Sequence, residues 1–425
     1  MSAEILSRSN TEIILNIRIP LKRSLLETEE SILEALNDAG TLSTREALMH
    51  FDADGSPITI AGTKYTSKGK LPKAYQTPYG ETSVPRHVYQ GSSGGRTYVP
   101  MEERARIVIT STPRFAKMLS HKYSEMGAPR VEVDLFENHG RKVARSFIKN
   151  VGDYVGAVVQ AKEENWEYST PELETPIRTV VVGLDGTCML TDKDGWREAM
   201  VGTVALYDGK GERQHTIYLG AAPEYGKETF LRRLEREVER VKAIYPRSQF
   251  VGIADGAKSN WEFLERHTKE QVLDFYHATE ILTRASEGKF KKVSERAEWM
   301  ESRCHSLKHK HGAATKIMYE LNAWTAEGLS TEGGEKVHRS IDYFMNNRHR
   351  MDYAKFVERD MPIGSGVTEA ACKVIIKQRL CASGMTKWKG TGTAAVISLR
   401  RLTYSTGRWN QFWEKVDQYG LSMVA

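Results

Sequence analysis

RTVVVGLDG, residues 178–186, contains the clearest buried strand in this 425-residue chain. Its continuous apolar run, closed by glycine residues, is typical of a strand that is covered on both faces. QFVGIADG, residues 249–256, repeats the same pattern. We expect the first strand to end at Asp185 and the second at Asp255, so that each aspartate reaches an edge of the sheet where solvent and a ligand have access. The glycine behind each aspartate lets a backbone or a phosphate approach closely.

The segments around these two strands predict the rest of the sheet. REAMVGTVALYD and RQHTIYLGAA are two further strands, KETFLRRLEREVERVKAIYP is a long amphipathic helix, and QVLDFYHATEILTRASEG is a strand that leads into a helix. Three strands in a meander, followed by a helix, a strand, a helix and a strand, form the order of an RNase H-like fold. We therefore predict an α/β domain with a mixed five-stranded sheet, in which the first and fourth strands are neighbours and Asp185 and Asp255 converge.

Changes of pattern along the chain predict several regions around this core. A helical pattern comes first, Gly-rich turns between short strands follow, and a second helical pattern precedes an acidic, proline-containing linker. The predicted regions are N-terminal helices at 1–52, a small antiparallel β unit at 53–110, a helix-turn-helix-like DNA-binding region at 111–161, a linker at 162–176, the first part of the RNase H-like core at 177–283, an all-α insertion at 284–360, and the second part of the core with C-terminal helices at 361–425.

The DNA-binding prediction for 111–161 comes from a short helix, a turn and a basic helix. VEVDLFENHGRKVARSF breaks at Gly140, and we expect Arg141, Lys142 and Arg145 to begin the second helix and to contact DNA. An ordinary helical hairpin with exposed basic residues is the alternative interpretation.

Composition restricts the class of protein. The chain is 40% hydrophobic and 27% charged, which is typical of a globular protein rather than a disordered one. Its net charge of +6 favours a phosphate-bearing partner only weakly. Four cysteines without a CxxC pair argue against a zinc ribbon and against a disulfide framework. The sequence has no apolar run of about 18 residues and no signal peptide, so we expect a soluble intracellular protein without a membrane partner.

A third acid, Glu369, lies in GSGVTEAACK, where a Gly-rich turn is expected to enter a helix. Three carboxylates can hold two divalent cations about 3.5–4 Å apart, as in-line phosphoryl transfer requires. Hard oxygen ligands suit Mg²⁺, with Mn²⁺ as a substitute. Taken singly, each aspartate fits an ordinary turn and the glutamate fits a partner of the helix dipole. The conjunction of the three favours a metal centre formed by Asp185, Asp255 and Glu369.

Basic residues follow Glu369 along the same predicted helix. Lys373 and Lys377 lie one and two turns further on, and Arg379 belongs to the same basic stretch. We expect these three side chains to contact DNA phosphates beside the carboxylates. Pairing between Glu369 and Lys373 within the helix is the alternative.

Several blocks of this sequence resemble one known family. VVVGLDGTCM, VGIADGAKSNW, DFYHATEIL and PIGSGVTEAACKVIIKQRLCASGMTKW look like the DDE transposases of bacterial insertion sequences, with the ISKra type most similar and Mutator-like and hAT-like enzymes more distant. SKGKLPKAYQTPYGETSVPRHVYQ, GGRTYVP and STPRFAKMLSHKYSEM resemble the same group, so the resemblance covers residues 50–405. The chain departs from the group at Val99, where relatives often have cysteine, and we therefore expect no zinc in the β unit.

The resemblance implies that Asp185, Asp255 and Glu369 are the catalytic acids and that they bind two Mg²⁺ ions. The gap of 114 residues between the second and third acids (369 − 255) then contains a helical insertion. A C/DxxH signature of the group matches Asp274 and His277. The resemblance therefore implies that His277 lies near the metal site as a further catalytic residue; a half-buried histidine with satisfied hydrogen bonds is the alternative.

The implied activity is cleavage at the terminal inverted repeats of an insertion sequence and strand transfer into target DNA. The implied agent is a homodimer that acts on double-stranded DNA in the bacterial cytoplasm, in association with the nucleoid. Two alternatives stay open: an RNase H-like metal-dependent nuclease without strand transfer, and a non-catalytic DNA-binding derivative.

The predicted insertion contains two further sets of residues. Cys304, His305, His309 and His311 match no standard zinc spacing, and an exposed basic helix is the preferred interpretation. Trp299 and Trp324 fit packing in a helical core better than stacking on an unpaired base.

Overall fold

The computed structural model describes residues 2–9, 11–385 and 388–422. The predicted N-terminal region and the predicted second part of the core each include a few residues outside these ranges, namely Met1, Asn10, Thr386, Lys387 and 423–425. The chain divides into two compact units. The first contains Met1–Ser169, Thr391–Thr403 and Gly407–Ala425, and the second contains Thr170–Gly390 and Tyr404–Thr406. The C-terminal helices, which we expected to accompany the sheet, are thus grouped with the N-terminal regions.

The first unit begins with a β-hairpin, in a region where we expected only helices. Its elements are β1 (Ala3–Arg8), β2 (Ile13–Ile17) and the following helix α1 (Leu25–His50). The side chain of Ser24 caps the helix by accepting a hydrogen bond from the backbone N–H of Glu27. The backbone N–H of Ser2 donates to Asp38 (2.9 Å), which attaches the short hairpin to α1.

A four-stranded antiparallel sheet occupies the region expected to form a small β unit. Its strands, in spatial as well as in chain order, are β3 (Ile58–Ile60), β4 (Thr63–Gln76), β5 (Glu81–Gly91) and β6 (Gly94–Tyr98). Tyr75 and Val84 are fully buried and share a small hydrophobic core with Leu48 and Met101. One face of this sheet is therefore covered by helices.

Four helices continue the first unit. They are α2 (Pro100–Arg104), α3 (Pro113–Glu125), α4 (Ala128–His139) and α5 (Arg145–Ala161). The predicted break is real, because α4 ends at Gly140, whose left-handed backbone (φ 61°) suits a helix C-terminus. The second helix nevertheless begins at Arg145 rather than at Arg141. It buries Val151 and Val155 at helical spacing.

The second unit is built on the mixed five-stranded sheet that the sequence predicts. Its strands are β7 (Thr179–Thr191), β8 (Gly195–Tyr207), β9 (Arg213–Ala221), β10 (Gln249–Ala254) and β11 (Glu270–Leu273). They lie in the order β11-β10-β7-β8-β9, with β7, β8 and β9 forming an antiparallel meander and with β10 and β11 parallel to β7. The predicted neighbour relation between the first and fourth strands is confirmed.

The first strand of this sheet is longer than we expected. β7 does not end at Asp185 but continues to Thr191, where it still pairs with Gly195 of β8. In the second half of the strand burial alternates, with Cys188 exposed and Met189 buried. The continuous apolar run marks only the part that is covered on both faces, and it therefore underestimates the length of the strand.

In the described part of the second unit, seven α-helices precede the segment that contains Glu369, and the last four of them occupy the region predicted as an all-α insertion. They are α6 (Gly226–Ile244), α7 (Lys258–His267), α8 (Phe275–Lys289), α9 (Val293–His309), α10 (Ala313–Thr325), α11 (Thr331–Asn347) and α12 (Tyr353–Val357). Trp299 and Trp324 are both buried, and their ring centroids are 4.9 Å apart. These two rings therefore belong to the core of the insertion, as the core-packing interpretation requires.

Residues 366–377 return the chain to the sheet of the second unit, and α15 and α16 belong mainly to the first unit. The remaining elements are α13 (Gly366–Ala371), a π-helical turn (Cys372–Lys377), α14 (Gln378–Leu380), α15 (Gly390–Tyr404) and α16 (Arg408–Tyr419). Within the described part of the chain, no helix has both the length and the apolar character needed to cross a membrane.

Helix α13 packs against the sheet directly over Gly183. A Cβ atom at this position would lie 2.1 Å from Oγ1 of Thr368. That hydroxyl is hydrogen-bonded to Oγ1 of Thr203 on β8 (2.8 Å). The helix that carries Glu369 is thus held close to β7 and β8, and the missing side chain of Gly183 makes this approach possible.

Gly183→Ala should lower the free energy of unfolding by about 1–3 kcal/mol, because the added methyl group forces α13 away from the sheet. The matched control is Gly209→Ala, in the turn after β8, where an added Cβ meets no atom within 4 Å. Thermal melting of both full-length variants measures the difference. Equal melting temperatures would show that the contact over Gly183 does not hold α13.

Candidate active site

The pairing register of β7 and β10 brings Asp185 and Asp255 together. The parallel pairs run from Thr179 with Gln249 to Gly183 with Ile253, a constant difference of 70 residues. The two aspartates differ by the same 70 residues (255 − 185), so the register continued by two residues places them side by side. Neighbouring strands are about 4.8 Å apart. The convergence that the sequence predicts is therefore a property of the sheet itself.

The carboxyl group of Asp185 is in an environment that disfavours its charge. Burial, and next the negative charge of Asp255, raise the pKa of Asp185 above its ordinary value. The backbone N–H of Gly186 donates to Oδ1 (2.7 Å), and the thiol of Cys372 donates to Oδ2 (3.5 Å). These two bonds favour the charged form, but they offset only part of the effect.

The acidic pair has no ion-paired partner in the described part of the chain. Among the residues that the structure describes, no lysine, arginine or histidine forms an ion pair with Asp185, Asp255 or Glu369. Two carboxylates held side by side without a counter-charge are unfavourable for the fold, and buried charges are usually paired or coordinate a metal. The pair is therefore suited in charge and in ligand type to a hard divalent cation.

Helix α13 and the π-helical turn connect the third acid to Asp185 through Cys372. Cys372, three residues after Glu369, is buried and contacts Asp185 through its thiol. Burial raises the pKa of the Cys372 thiol, and the charges of Asp185 and Glu369 raise it further, so both acids act on the same sulfur atom. We did not single out Cys372 from the sequence, although its i, i+3 spacing from Glu369 is a usable signal.

The carboxylate of Glu369 itself has a different partner. Glu369 is exposed, and its Oε1 accepts a hydrogen bond from the hydroxyl of Ser365 (2.8 Å). In the described part of the chain, no three histidine, cysteine, aspartate or glutamate side chains are arranged to hold a metal ion. The structure thus brings Asp185 and Asp255 together and brings the helix of Glu369 against them, but it does not close the three carboxylates around a common point.

A third aspartate occupies the next strand end and has a different role. The register of β10 with β11 continues from Ala254 and Leu273 to Asp255 and Asp274. The carboxylate of Asp274 is buried and accepts hydrogen bonds from the backbone N–H groups of His277 and Ser365. It therefore caps α8 and also fixes the turn that precedes Glu369. Asp274 is a positioning residue, and both of its oxygens have backbone partners.

His277 is connected to the acidic pair through one intervening side chain, Tyr343. Its ring is half-buried and lies 5.8 Å, between centroids, from the ring of Tyr343. The hydroxyl of Tyr343 donates to the backbone carbonyl of Asp255 (2.9 Å). The charged neighbour of His277 is Glu280, whose carboxylate lies 3.6 Å from Nδ1 of the histidine ring. In the described structure no hydrogen bond or ion pair joins His277 to the three acids, so it reaches the site only through Tyr343.

Helix α7, which follows Asp255, is attached to the strand that carries Asp185. Asn260 is buried, and its Nδ2 donates to the backbone carbonyl of Leu184 (3.3 Å). Nζ of Lys227, at the start of α6, donates to Oδ1 of Asn260 (2.8 Å). These residues hold the two aspartate-bearing segments together. We did not predict them, because only the folded chain brings their partners near.

Two of the six predicted DNA-binding residues are buried. Arg141 donates to the backbone carbonyl of Thr77 (3.3 Å) and to Oε1 of Gln76 (2.8 Å), and its guanidinium lies over the ring of Phe115. Burial lowers its pKa. Arg379 is 3% exposed and lies over the ring of Trp388. The structure does not place either side chain on the surface that we expected, because each one completes the packing of its own unit.

The other four basic residues are exposed. Lys142 lies over the ring of Phe136, and Arg145 forms an ion pair with Glu132. Lys373 and Lys377 follow Glu369, but the π-helical turn between them widens the helix by about one residue per turn. The two lysines therefore do not share the regular one-turn spacing that we assumed.

The cysteine and histidine cluster of the insertion forms no metal site in the described structure. The rings of His305 and His309 lie 4.9 Å apart on α9. His311 is exposed and pairs with Asp352 and Glu358 on opposite sides of its ring. These ion pairs raise the pKa of His311. His305, His309 and His311 are exposed, and Cys304 is half-buried.

Comparison with known proteins adds no family to these observations. No family profile matches the chain, and no curated protein matches its sequence.

Asp185→Asn should raise the melting temperature in the absence of divalent ions at neutral pH. The folded-state pKa of Asp185 lies above its ordinary value. The free energy of unfolding is therefore not reduced by this group below about pH 4, where the carboxyl is protonated, and it falls as the pH rises through the raised pKa. Asparagine removes that loss, so the gain should vanish in acid. Melting curves at both pH values test this.

The matched control is Asp208→Asn. Hydrogen bonds to its carboxylate, of which the one from the backbone N–H of Glu212 has the largest effect, lower the pKa of Asp208. Ionisation of Asp208 therefore stabilises the fold, and the asparagine variant should melt below the wild type at neutral pH. If Asp185→Asn also melted below the wild type under these conditions, the uncompensated charge at Asp185 would be refuted.

Proposed function

We propose that this chain is a DDE-type DNA transposase with an RNase H-like catalytic domain. The observation that carries the proposal is the register of β7 and β10, which sets Asp185 beside Asp255, together with the helix of Glu369 packed over the same strands. Paired strand-end aspartates and a helical glutamate are the acids of the family that the sequence blocks resemble.

The strand order supports the fold part of the proposal. A three-stranded antiparallel meander is followed by two strands parallel to the first, and the acids lie at the first strand, at the fourth strand and on a later helix. This is the order expected for an RNase H-like domain. The helical segment between Asp255 and Glu369 is the insertion that the resemblance implies.

The ligand chemistry supports a metal-dependent reaction. Asp185 and Asp255 present hard oxygen atoms without a counter-charge, and we propose them, with Glu369, as the ligands of Mg²⁺ or Mn²⁺. Two such ions, when bound, supply a stronger oxygen nucleophile and stabilise the leaving 3′ oxygen. In the proposal, Glu369 exchanges the hydrogen bond from the Ser365 hydroxyl for the metal.

The chain's own residues position the acids. The thiol of Cys372 orients one oxygen of Asp185, and the hydroxyl of Tyr343 holds the backbone of Asp255. Asp274 fixes the turn before Glu369 by binding the backbone N–H of Ser365. Such fixed surroundings are what a centre for phosphoryl transfer needs, because the ligands must be held within a fraction of an ångström of the productive geometry.

Double-stranded DNA is the proposed substrate. In the proposal, the exposed Lys373 and Lys377 contact phosphates beside the acids, and Lys142 and Arg145 contact phosphates in the helical region 111–161. Two element ends must be held for transposition, so the proposal includes a homodimer.

The direct test is cleavage and strand transfer with oligonucleotides that contain the ends of the DNA element around this coding sequence. Asp185→Asn, Asp255→Asn and Glu369→Gln should each lower both rates by about 1,000-fold or more, because each removes a charged metal ligand. The matched control is Asp194→Asn, an exposed aspartate in the β7–β8 turn, which should leave both rates unchanged.

The products decide between the alternatives. Joined products that require Mg²⁺ or Mn²⁺ support the transposase. Cleavage without joined products would identify a nuclease instead. DNA binding without metal-dependent cleavage, or full activity in Asp185→Asn, would exclude catalysis by these acids.

A further inference from the structure

A short segment that leads into the first turn of α1 exposes an unusual amount of apolar surface. Within residues 18–26, the relative exposures of Leu21, Leu25 and Leu26 are 83%, 74% and 67%. Single exposed apolar residues are common, but three leucines within six positions form a patch of the kind that marks a protein–protein contact. We call residues 18–26 the leucine segment.

The leucine segment is also basic. Arg18, Lys22 and Arg23 alternate with the apolar residues, and all three are exposed. Among the described residues, none of the three forms an ion pair. The segment therefore offers apolar side chains and three uncompensated positive charges to a partner.

A groove of matching character lies in the same unit. It has a volume of about 720 Å³ and lies between α1 and the end of α4. Leu33, Tyr79 and Phe136 supply apolar surface, and Glu30 and Glu34 line the groove on α1. Both glutamates are exposed and have no ion-pair partner in the described structure. We call this the acidic groove.

The two surfaces do not satisfy each other within one chain. Lys22 also lines the groove, but it forms no ion pair with Glu30 or Glu34. The apolar side chains of Leu21 and Leu25 remain exposed beside it. Complementary charge and apolar surface are thus present on one molecule and unused by it.

We propose that a second copy of this chain fills the acidic groove with its leucine segment, and that the exchange is reciprocal about a two-fold axis. Each copy then contributes one segment and one groove, so the contact is used twice and the assembly closes as a dimer. The segment resembles the apolar anchors of groove-binding peptides, with positive charges that match the groove.

Charge argues against the other occupants. DNA and anionic lipid both carry negative charge, which the glutamates of the groove would repel. The leucine segment has the opposite sign and the required apolar surface. This inference goes beyond the proposed catalysis and does not depend on the three acids.

The test uses charge reversal on the full-length chain. Variant one carries Lys22→Glu with Arg23→Glu, and variant two carries Glu30→Lys with Glu34→Lys. Each variant alone sets like charges against each other at both contacts, so its dimer dissociation constant should rise by at least about 100-fold. When the two variants are mixed, both contacts regain opposite charges, and a heterodimer should form.

Sedimentation equilibrium measures the assembly, and thermal melting confirms that each variant is folded. The matched control is Lys68→Glu with Lys70→Glu, two exposed lysines on β4, which should dimerise like the wild type. The wild-type dimer should also weaken as salt is raised. A wild type that stays monomeric, single variants that still dimerise, or a mixture that does not form the heterodimer would each overturn the proposal. DNA cleavage by the same samples is measured separately, so its failure is distinguishable from a failure of the dimer.

Discussion

The parallel pairing of β7 with β10 is the constraint on which the candidate site depends. A register difference of 70 residues sets Asp185 beside Asp255, and a slip of one residue would send the second side chain to the other face of the sheet. Everything else at this edge is arranged around that pair. Gly183 lets α13 approach, and Cys372 brings the same helical segment into contact with Asp185.

Three neighbouring strands carry or lead into an aspartate at adjacent register positions, and the surroundings divide the three aspartates into two kinds. Asp274 is surrounded by backbone N–H groups, which makes it a structural cap. Asp185 accepts a backbone hydrogen bond from Gly186, but burial and the charge of Asp255 outweigh it, and the pKa of Asp185 is raised. The fold thus tolerates repulsion at one point while satisfying a chemically identical group beside it. Such local destabilisation is typical of sites that are kept for function rather than for stability.

Much of this arrangement could be predicted from the sequence. The apolar runs before Asp185 and Asp255 predicted two buried neighbouring strands, because a strand covered on both faces has a continuous apolar signal. The same signal could not show that β7 continues to Thr191. It also could not show that Arg141 is buried, because its partner Gln76 is distant in the sequence. Nor could it show that Glu369 accepts a hydrogen bond from Ser365, because apolar periodicity does not record local polar contacts.

The most direct measurement is a crystal structure of the full-length protein with Mn²⁺, whose anomalous scattering identifies the metal without ambiguity. We expect a Mn²⁺ peak about 2.1 Å from carboxylate oxygens of both Asp185 and Asp255, with Glu369 released from Ser365 and completing the ligand set. Aspartates that lie apart, or Mn²⁺ bound elsewhere with this pair left without metal, would contradict the metal centre proposed for this protein.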